Sequence, residues 1–142
     1  MGESKIKVLL ETSGVNLRRA EEAEGRGEWD DCILHASLAI ESAANALIVK
    51  LGGHEAIDHR AISALNEVAR QRVPDWTKEE KFRAMIKRGL GVQREVVYSR
   101  YPHHVGGKWI APSQYYGEKD AKKTLSDTKF VLEVVGGYRK RK

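Results

Sequence analysis

The sequence predicts an all-α fold, an up-and-down bundle of about five helices. Apolar residues recur at steps of three and four along most of the 142 residues, which is the spacing of one face of a helix. Glycine pairs and prolines separate these stretches, as they do where helices end. No segment alternates between polar and apolar residues for long enough to indicate a strand.

The first two helices are predicted from the N-terminal third of the chain. One face of the first helix is formed by Ile6, Leu10, Ser13, Leu17, Ala20 and Glu24. Gly25 and Gly27 supply the turn that follows it. The second helix runs from Trp29 to Leu51 with a continuous apolar stripe, and the alanines beside that stripe allow close approach of a neighbour. We therefore expect the second helix to be the centre of the bundle, and Gly52-Gly53 to end it.

Three more helices follow. The third is predicted from an N-cap at Asp58 to the break at Pro74. The fourth opens with a capping-box pattern at residues 77–80. Its expected inner face consists of Phe82, Ile86, Gly89, Gln93, Val96 and Val97. The last helix is expected over residues 118–135, closed by Gly136-Gly137. Residues 1–138 then form one helical domain, and residues 139–142 form a basic, solvated tail.

The composition limits the class of protein. The formal net charge is +5, from 25 Lys and Arg against 20 Asp and Glu, and the excess is too modest to establish nucleic-acid binding alone. The single cysteine, Cys32, excludes an intramolecular disulfide and is expected to be buried and inert. A reducing, cytoplasmic setting is the expectation, with no signal peptide and no apolar stretch of the roughly 20 residues that a membrane span needs.

The most distinctive segment is residues 98–116, between the fourth helix and the last. Five of the ten aromatic residues lie there, together with His103 and His104. Arg94, Arg100 and Lys108 add positive charge in or beside the segment. Aromatic rings interleaved with cations are suited to bind nucleotides or single-stranded RNA, because bases stack on rings and phosphates contact cations.

Two other interpretations of this segment stay open. Its rings could pack the loop onto the bundle or into a dimer interface, where Tyr and Trp are enriched. A metal site at His103-His104 is not expected, because neighbouring side chains in an extended loop diverge and no further ligands stand at a suitable spacing. We accordingly predict no metal and no cofactor.

The order of several short motifs resembles the HEPN family (higher-eukaryote and prokaryote nucleotide-binding domain), in its small stand-alone prokaryotic or archaeal form. The motifs are Trp29-Asp30, Ala39-Ile40-Glu41, Ala46-Leu47, His59-Arg60-Ala61-Ile62 with Leu65, Ser99-Arg100-Tyr101-Pro102 and Asp120-Ala121. They extend over nearly the whole chain, and Arg-Tyr-Pro with the later Asp-Ala is the most specific part.

The resemblance implies a compact helical bundle that dimerises. It also implies one of two activities: metal-independent cleavage of RNA, or non-catalytic action beside a small nucleotidyltransferase in a toxin–antitoxin pair. The catalytic kind carries an Arg followed, after four to six residues, by a His. Histidine suits deprotonation of the 2′-OH, and arginine suits stabilisation of the phosphorane oxyanion.

This sequence departs from that catalytic spacing. Eight residues separate Arg94 from His103, and three separate Arg100 from His104. We therefore predict a homodimeric nucleotide- or RNA-binding protein with a nucleotidyltransferase partner. An endoribonuclease with a displaced Arg/His pair and a structural docking module are the alternatives. The candidate ligand-binding residues are Glu41, Arg94, Arg100, Tyr101, His103, His104, Lys108 and Trp109, and Glu41 is expected to anchor Arg94 or Arg100.

Overall fold

Residues 2–141 are described by a computed structural model. Five long helices form a bundle: α1 (Gly2–Gly25), α2 (Trp29–Lys50), α3 (Ala61–Arg72), α4 (Glu80–Gln93) and α7 (Glu118–Arg139). Two single-turn helices, α5 (Glu95–Tyr98) and α6 (Pro112–Tyr115), flank a small hairpin between α4 and α7. The predicted all-α bundle is confirmed, including the five helices that periodicity indicated.

The centre of the bundle is α2. It packs against α1, α3, α4 and α7, and its alanine positions 36, 39, 43, 44 and 46 are fully buried. These small side chains let α1 approach so closely that the Ser13 hydroxyl donates a hydrogen bond to the Ala39 carbonyl at 2.8 Å. By length and composition α2 would suffice to cross a membrane, but 67% of its most apolar stretch is buried within the bundle, as expected of a core helix.

Two predicted helix starts are wrong. Helix α3 begins at Ala61, not after an N-cap at Asp58, and the Gln93 side chain accepts a hydrogen bond from the Ile62 amide at 2.7 Å. The capping box at residues 77–80 does not form either. The Thr77 hydroxyl instead donates to the Pro74 carbonyl at 2.6 Å within a 3₁₀ turn, and α4 begins after it. In both places longer-range or turn contacts outcompete the local capping pattern.

The end of α4 and the end of α7 also differ from expectation. The chain turns at Arg94 after α4, and this turn leaves Val97 of α5 half exposed instead of inward-facing. Helix α7 continues through Gly136-Gly137 to Arg139. Buried Tyr138 and the ion pair of Arg141 with Glu79 hold this last turn against the bundle. The predicted tail is therefore attached as far as Arg141, and Lys142 lies outside the described residues.

A two-stranded hairpin was not predicted. Strand β1 (His103–Val105) pairs antiparallel with β2 (Lys108–Ile110), with His104 opposite Trp109. Gly106 and Gly107 form the turn at φ values of 56° and 79°, a left-handed conformation that favours glycine. Three-residue strands are too short to reveal themselves by alternation.

Candidate functional site

The hairpin, α5 and α6 enclose a cleft of about 530 Å³ beside the C-terminus of α4. It is lined by Arg94, Glu95, Tyr98, Pro102, His103, His104, Val105 and Tyr115. We call it the aromatic cleft. The turn after α4 brings Arg94 to the cleft, and the hairpin returns the chain so that His103 lines it as well. Three of the eight predicted site residues, Arg94, His103 and His104, meet here.

The side chain of His103 is held in place by several contacts at the cleft. It is the only histidine of the described residues to be buried, and its Nε2 lies 2.6 Å from the Tyr98 carbonyl oxygen. A carbonyl can only accept, so Nε2 carries the proton and a neutral ring keeps Nδ1 as an acceptor. Tyr115 stacks on the imidazole with a centroid separation of 3.9 Å and an interplanar angle of 14°. The ring is therefore held in one orientation and one tautomer.

Glu95 and Tyr116 attach the loop to α5. The Tyr116 hydroxyl donates a 2.7 Å hydrogen bond to Glu95 Oε2. Burial, reinforced by this carboxylate, raises the pKa of the Tyr116 phenol, which therefore stays protonated as the donor. Tyr116 also contacts His103 edge-on at 5.9 Å between centroids. One oxygen of the only carboxylate lining the cleft is thereby occupied.

The outer face of the hairpin carries an open aromatic pair. His104 and Trp109 face each other across the strands with ring centroids 4.9 Å apart. The indole of Trp109 is 72% exposed, and its neighbour Lys108 is exposed as well. Because side chains alternate along a strand, His103 is buried toward the bundle, whereas His104 is exposed on the outer face of the hairpin although it also contributes to the lining of the cleft. The two adjacent histidines thus occupy different environments.

The cations near the cleft have no ion-pair partner in the part of the chain that the structure describes. Among residues 2–141, no carboxylate lies within ion-pair distance of Arg94, Arg100 or Lys108. Arg100 and Tyr101 are exposed on the segment leading into β1 and do not line the cleft. They remain candidates by proximity only.

The predicted anchoring role of Glu41 is wrong. Its Oε2 lies 3.0 Å from His59 Nδ1, and neither Arg94 nor Arg100 contacts it. His59 adopts φ 63°, a left-handed conformation just before α3. Its ring reaches back to α2 from this turn. Glu41 and His59 therefore join α2 to the loop before α3, and neither lines the aromatic cleft.

The Asp120-Ala121 motif serves the fold. Asp120 Oδ2 accepts a hydrogen bond from the Gly117 amide at 2.8 Å, which satisfies the N-terminus of α7. Ala121 is fully buried beside Cys32. Burial raises the pKa of the Cys32 thiol to about 12, as expected of an unreactive core cysteine. Within the described part of the chain, no three His, Cys, Asp or Glu residues converge as metal ligands would.

The predicted site residues did not include five members of the cleft wall, namely Glu95, Tyr98, Pro102, Val105 and Tyr115. The aromatic density of residues 98–116 was the available signal, and it located the cleft but not its lining. Predicting Val105 or Glu95 would have required the hairpin and the turn at Arg94, which depend on contacts across the chain.

Comparison with known proteins places the chain in a family. Residues 6–140 match the family model described as HEPN domain. A protein of Methanocaldococcus jannaschii named "Putative toxin MJ1304" is 25% identical over 147 aligned positions, which cover 94% of this chain and 96% of that protein.

Two solved structures share the fold. TT1696 from Thermus thermophilus superimposes with a TM-score of 0.75 at 20% identity, over 94% of this chain and 98% of the other. ST0689, described as an archaeal HEPN homologue, gives a TM-score of 0.70 at 17% identity, over 95% of this chain and 98% of the other. At these identities the likeness concerns the fold alone.

Proposed function

The chain belongs to the HEPN domain family, and from that premise we propose that it binds a nucleotide or RNA in the aromatic cleft. The protein then acts as a homodimer beside a small nucleotidyltransferase, in a toxin–antitoxin type of system in the cytoplasm. The name of the M. jannaschii relative supports a toxin-like role. The partner and the dimer come from the family resemblance.

One observation carries the proposal: the cleft combines stacking surfaces with a cation that has no carboxylate partner. Tyr98 and Tyr115 are exposed and offer ring faces or edges along its wall, while buried His103 contacts both rings. Arg94 stands at its margin without an ion pair among the described residues. Aromatic stacking contributes about 1–3 kcal/mol per base, and an arginine contributes a charge-assisted contact to a phosphate.

A titration tests this proposal. Fluorescence anisotropy with a labelled single-stranded RNA, and calorimetry with mononucleotides, should detect saturable binding by the wild type. Arg94→Gln should weaken binding about 10–150-fold, since a hydrogen bond to a charged group contributes about 1.5–3 kcal/mol. Arg19→Gln removes an exposed arginine of α1, far along the chain from the cleft, and serves as the control of equal charge. Equal affinities for wild type and Arg94→Gln would contradict the proposal.

A second candidate function is metal-independent endoribonuclease activity. It is favoured by the convergence of Arg94 and His103 on one cleft despite the eight residues between them. A neutral His103 keeps Nδ1 as a possible base, and Arg94 supplies a cation for the phosphorane. We nevertheless rank binding above cleavage, because Nε2 of His103 is committed to the Tyr98 carbonyl and its ring is covered by Tyr115.

The two functions are separated by an RNase assay. Purified protein is incubated with single-stranded RNA with and without EDTA, alongside His103→Ala and His104→Ala variants. We expect no appreciable cleavage. EDTA-resistant cleavage that produces 2′,3′-cyclic phosphate ends and disappears in either variant would make the enzyme the correct interpretation.

A further inference from the structure

A second concave surface lies between the outer faces of α3 and α4. This α3–α4 groove has a volume of about 780 Å³, and four cations line it: Arg70, Arg83, Lys87 and Arg94. Its remaining lining is neutral or apolar, and no carboxylate belongs to it. A concave surface lined by charges of one sign concentrates potential and attracts counter-charges.

The cations of α4 form a row. Arg83, Lys87 and the residue after the helix, Arg94, fall on one side because they are spaced by four and seven residues. At 1.5 Å per residue the row extends about 16 Å along the groove. None of the three lies within ion-pair distance of a carboxylate in residues 2–141, and Arg70 has only a surface pair with Glu67 at 3.4 Å.

The helix dipole favours a cation at Arg94, the C-cap of α4, but it does not explain the cations earlier in the row. Arg83 lies in the first turn of α4, where the helix dipole disfavours a cation. Neighbouring like charges without intervening carboxylates also repel one another. Between them, Leu90 is 38% exposed, an apolar surface at the floor of the groove. Arg83 and Lys87 therefore give the groove positive charge that their own helix does not require, and such a groove attracts anionic ligands.

The groove and the aromatic cleft meet at Arg94, which lines both. We propose that the α3–α4 groove binds the phosphate backbone of a single-stranded RNA whose adjacent bases occupy the aromatic cleft. This rests on the proposed function and narrows it, since the ligand must then be a polynucleotide longer than one or two residues. An isologous contact of this groove with that of a second copy is disfavoured, because it would bring two sets of the same cations together.

The proposal is tested by the dependence of affinity on RNA length. Anisotropy titrations compare a dinucleotide with a 12-nucleotide single strand at several salt concentrations. The variant Arg83→Gln/Lys87→Gln removes two exposed cations of the groove, and Arg19→Gln/Lys119→Gln removes two exposed cations outside it. Both variants carry the same net charge, and thermal melts check that both fold.

We expect the groove variant to bind the dinucleotide like the wild type and the 12-mer at least about tenfold more weakly. Its salt slope, the change of log affinity with log salt, should be smaller by about 1.4, since each phosphate contact on a single strand contributes about 0.7. The control variant should keep the affinity and slope of the wild type.

Three results would overturn the proposal in different ways. If the groove variant bound the 12-mer with unchanged affinity and unchanged salt slope, RNA would not bind in the groove, and the proposed function would still stand. Loss of binding to a 12-residue polyglutamate peptide, with RNA binding unchanged, would assign the groove to an acidic protein. Failure of the wild type to bind either RNA would reject the groove proposal, and failure to bind mononucleotides as well would reject the proposed function.

Discussion

This molecule has two groups of aromatic rings with a nearby arginine, and they differ in whether the arginine is paired and whether the rings face an open cleft. The C-terminal cluster consists of Trp76, Phe82 and Tyr138, whose rings lie 4.8–6.4 Å apart between centroids. Its cation is already used: Arg141 lies 4.1 Å from the centroid of Tyr138 and pairs with Glu79 through two 2.8 Å hydrogen bonds. Phe82 and Tyr138 are buried. The rings and the cation of the C-terminal cluster are therefore already engaged in contacts within the protein.

The loop cluster consists of Tyr98, His103 and Tyr115. It has the same kinds of side chain but faces an open cleft, and its cation, Arg94, has no carboxylate partner among the described residues. Aromatic and basic composition therefore does not distinguish a binding site from a packing cluster. The distinction is whether the cluster faces an open cleft and whether its cation has a carboxylate partner.

The largest expected difference is in stability, between a ring of the C-terminal cluster and the exposed ring of Trp109 on the hairpin next to the loop cluster. Phe82→Ala removes a fully buried ring and should lower the free energy of unfolding by about 3–5 kcal/mol. Trp109→Ala removes a mostly exposed ring beside the cleft and should change it by no more than about 0.5 kcal/mol. Urea unfolding followed by circular dichroism measures both. Comparable losses in the two variants would mean that the loop also serves as core.

The next effect concerns binding. Tyr115→Ala removes the ring stacked on His103 and should weaken RNA binding by about 1–3 kcal/mol, roughly 5–150-fold. Tyr101→Ala offers a matched control, because this exposed tyrosine lies in the same segment without lining the cleft. Anisotropy titrations should show a smaller loss for Tyr101→Ala. An inverted order would move the site from the cleft to the outer surface of the loop.

A pH dependence is expected of the C-terminal cluster. Hydrogen bonds from Arg141 and Tyr138 lower the pKa of Glu79 from its ordinary 4.5 to about 2. Because the folded-state pKa is depressed, the stabilisation is present above pH 4.5 and is lost as the pH falls from about 4.5 toward 2.

Glu79→Gln should therefore flatten the fall in thermal midpoint over that acid range, whereas Glu11→Gln, at an exposed site of α1, should leave it unchanged. Melting curves at half-unit pH steps make the comparison. If the thermal midpoint of Glu79→Gln fell with decreasing pH as steeply as that of the wild type, other carboxylates would be responsible for the loss of stability in acid.

The smallest expected effect is at Arg100. Its side chain is exposed and unpaired within residues 2–141, so Arg100→Ala should change stability by less than about 0.5 kcal/mol. Arg88 provides the contrast, because it donates a 2.7 Å hydrogen bond to buried Asp127, and Arg88→Ala should destabilise by about 1.5–3 kcal/mol. A large fall in the midpoint of Arg100→Ala would make that residue part of the scaffold.

Periodicity was sufficient for the helices but not for their ends. The apolar stripes of α2 and α7 can be read from the sequence because the buried residues of each helix recur at helical spacing. The start of α3 depends on Gln93 from another helix, and the last turn of α7 depends on Glu79 and Tyr138. The predictions from Asp58 for the start of α3 and from Gly136-Gly137 for the end of α7 were therefore wrong, because tertiary contacts outweighed these local patterns.

The candidate site was predictable as a region but not as a geometry. Clustered rings and histidines identified residues 98–116 from sequence. The convergence of Arg94 with His103 depends on the turn after α4 and on a hairpin of three-residue strands. The α3–α4 groove was missed because its cations come from two helices, and each alone resembles an ordinary solvated face.

The most direct test of the central claim is to map where RNA touches the protein. Single-stranded RNA carrying 4-thiouridine is crosslinked to the wild type by ultraviolet light, and the modified peptides are identified by mass spectrometry. We expect the major crosslinks within residues 94–116, at rings of the aromatic cleft such as Tyr98 or Tyr115, and their loss in Arg94→Gln. Crosslinks confined to residues outside 94–116, or unchanged by Arg94→Gln, would contradict the assignment of the aromatic cleft, with its loop cluster, as the binding site.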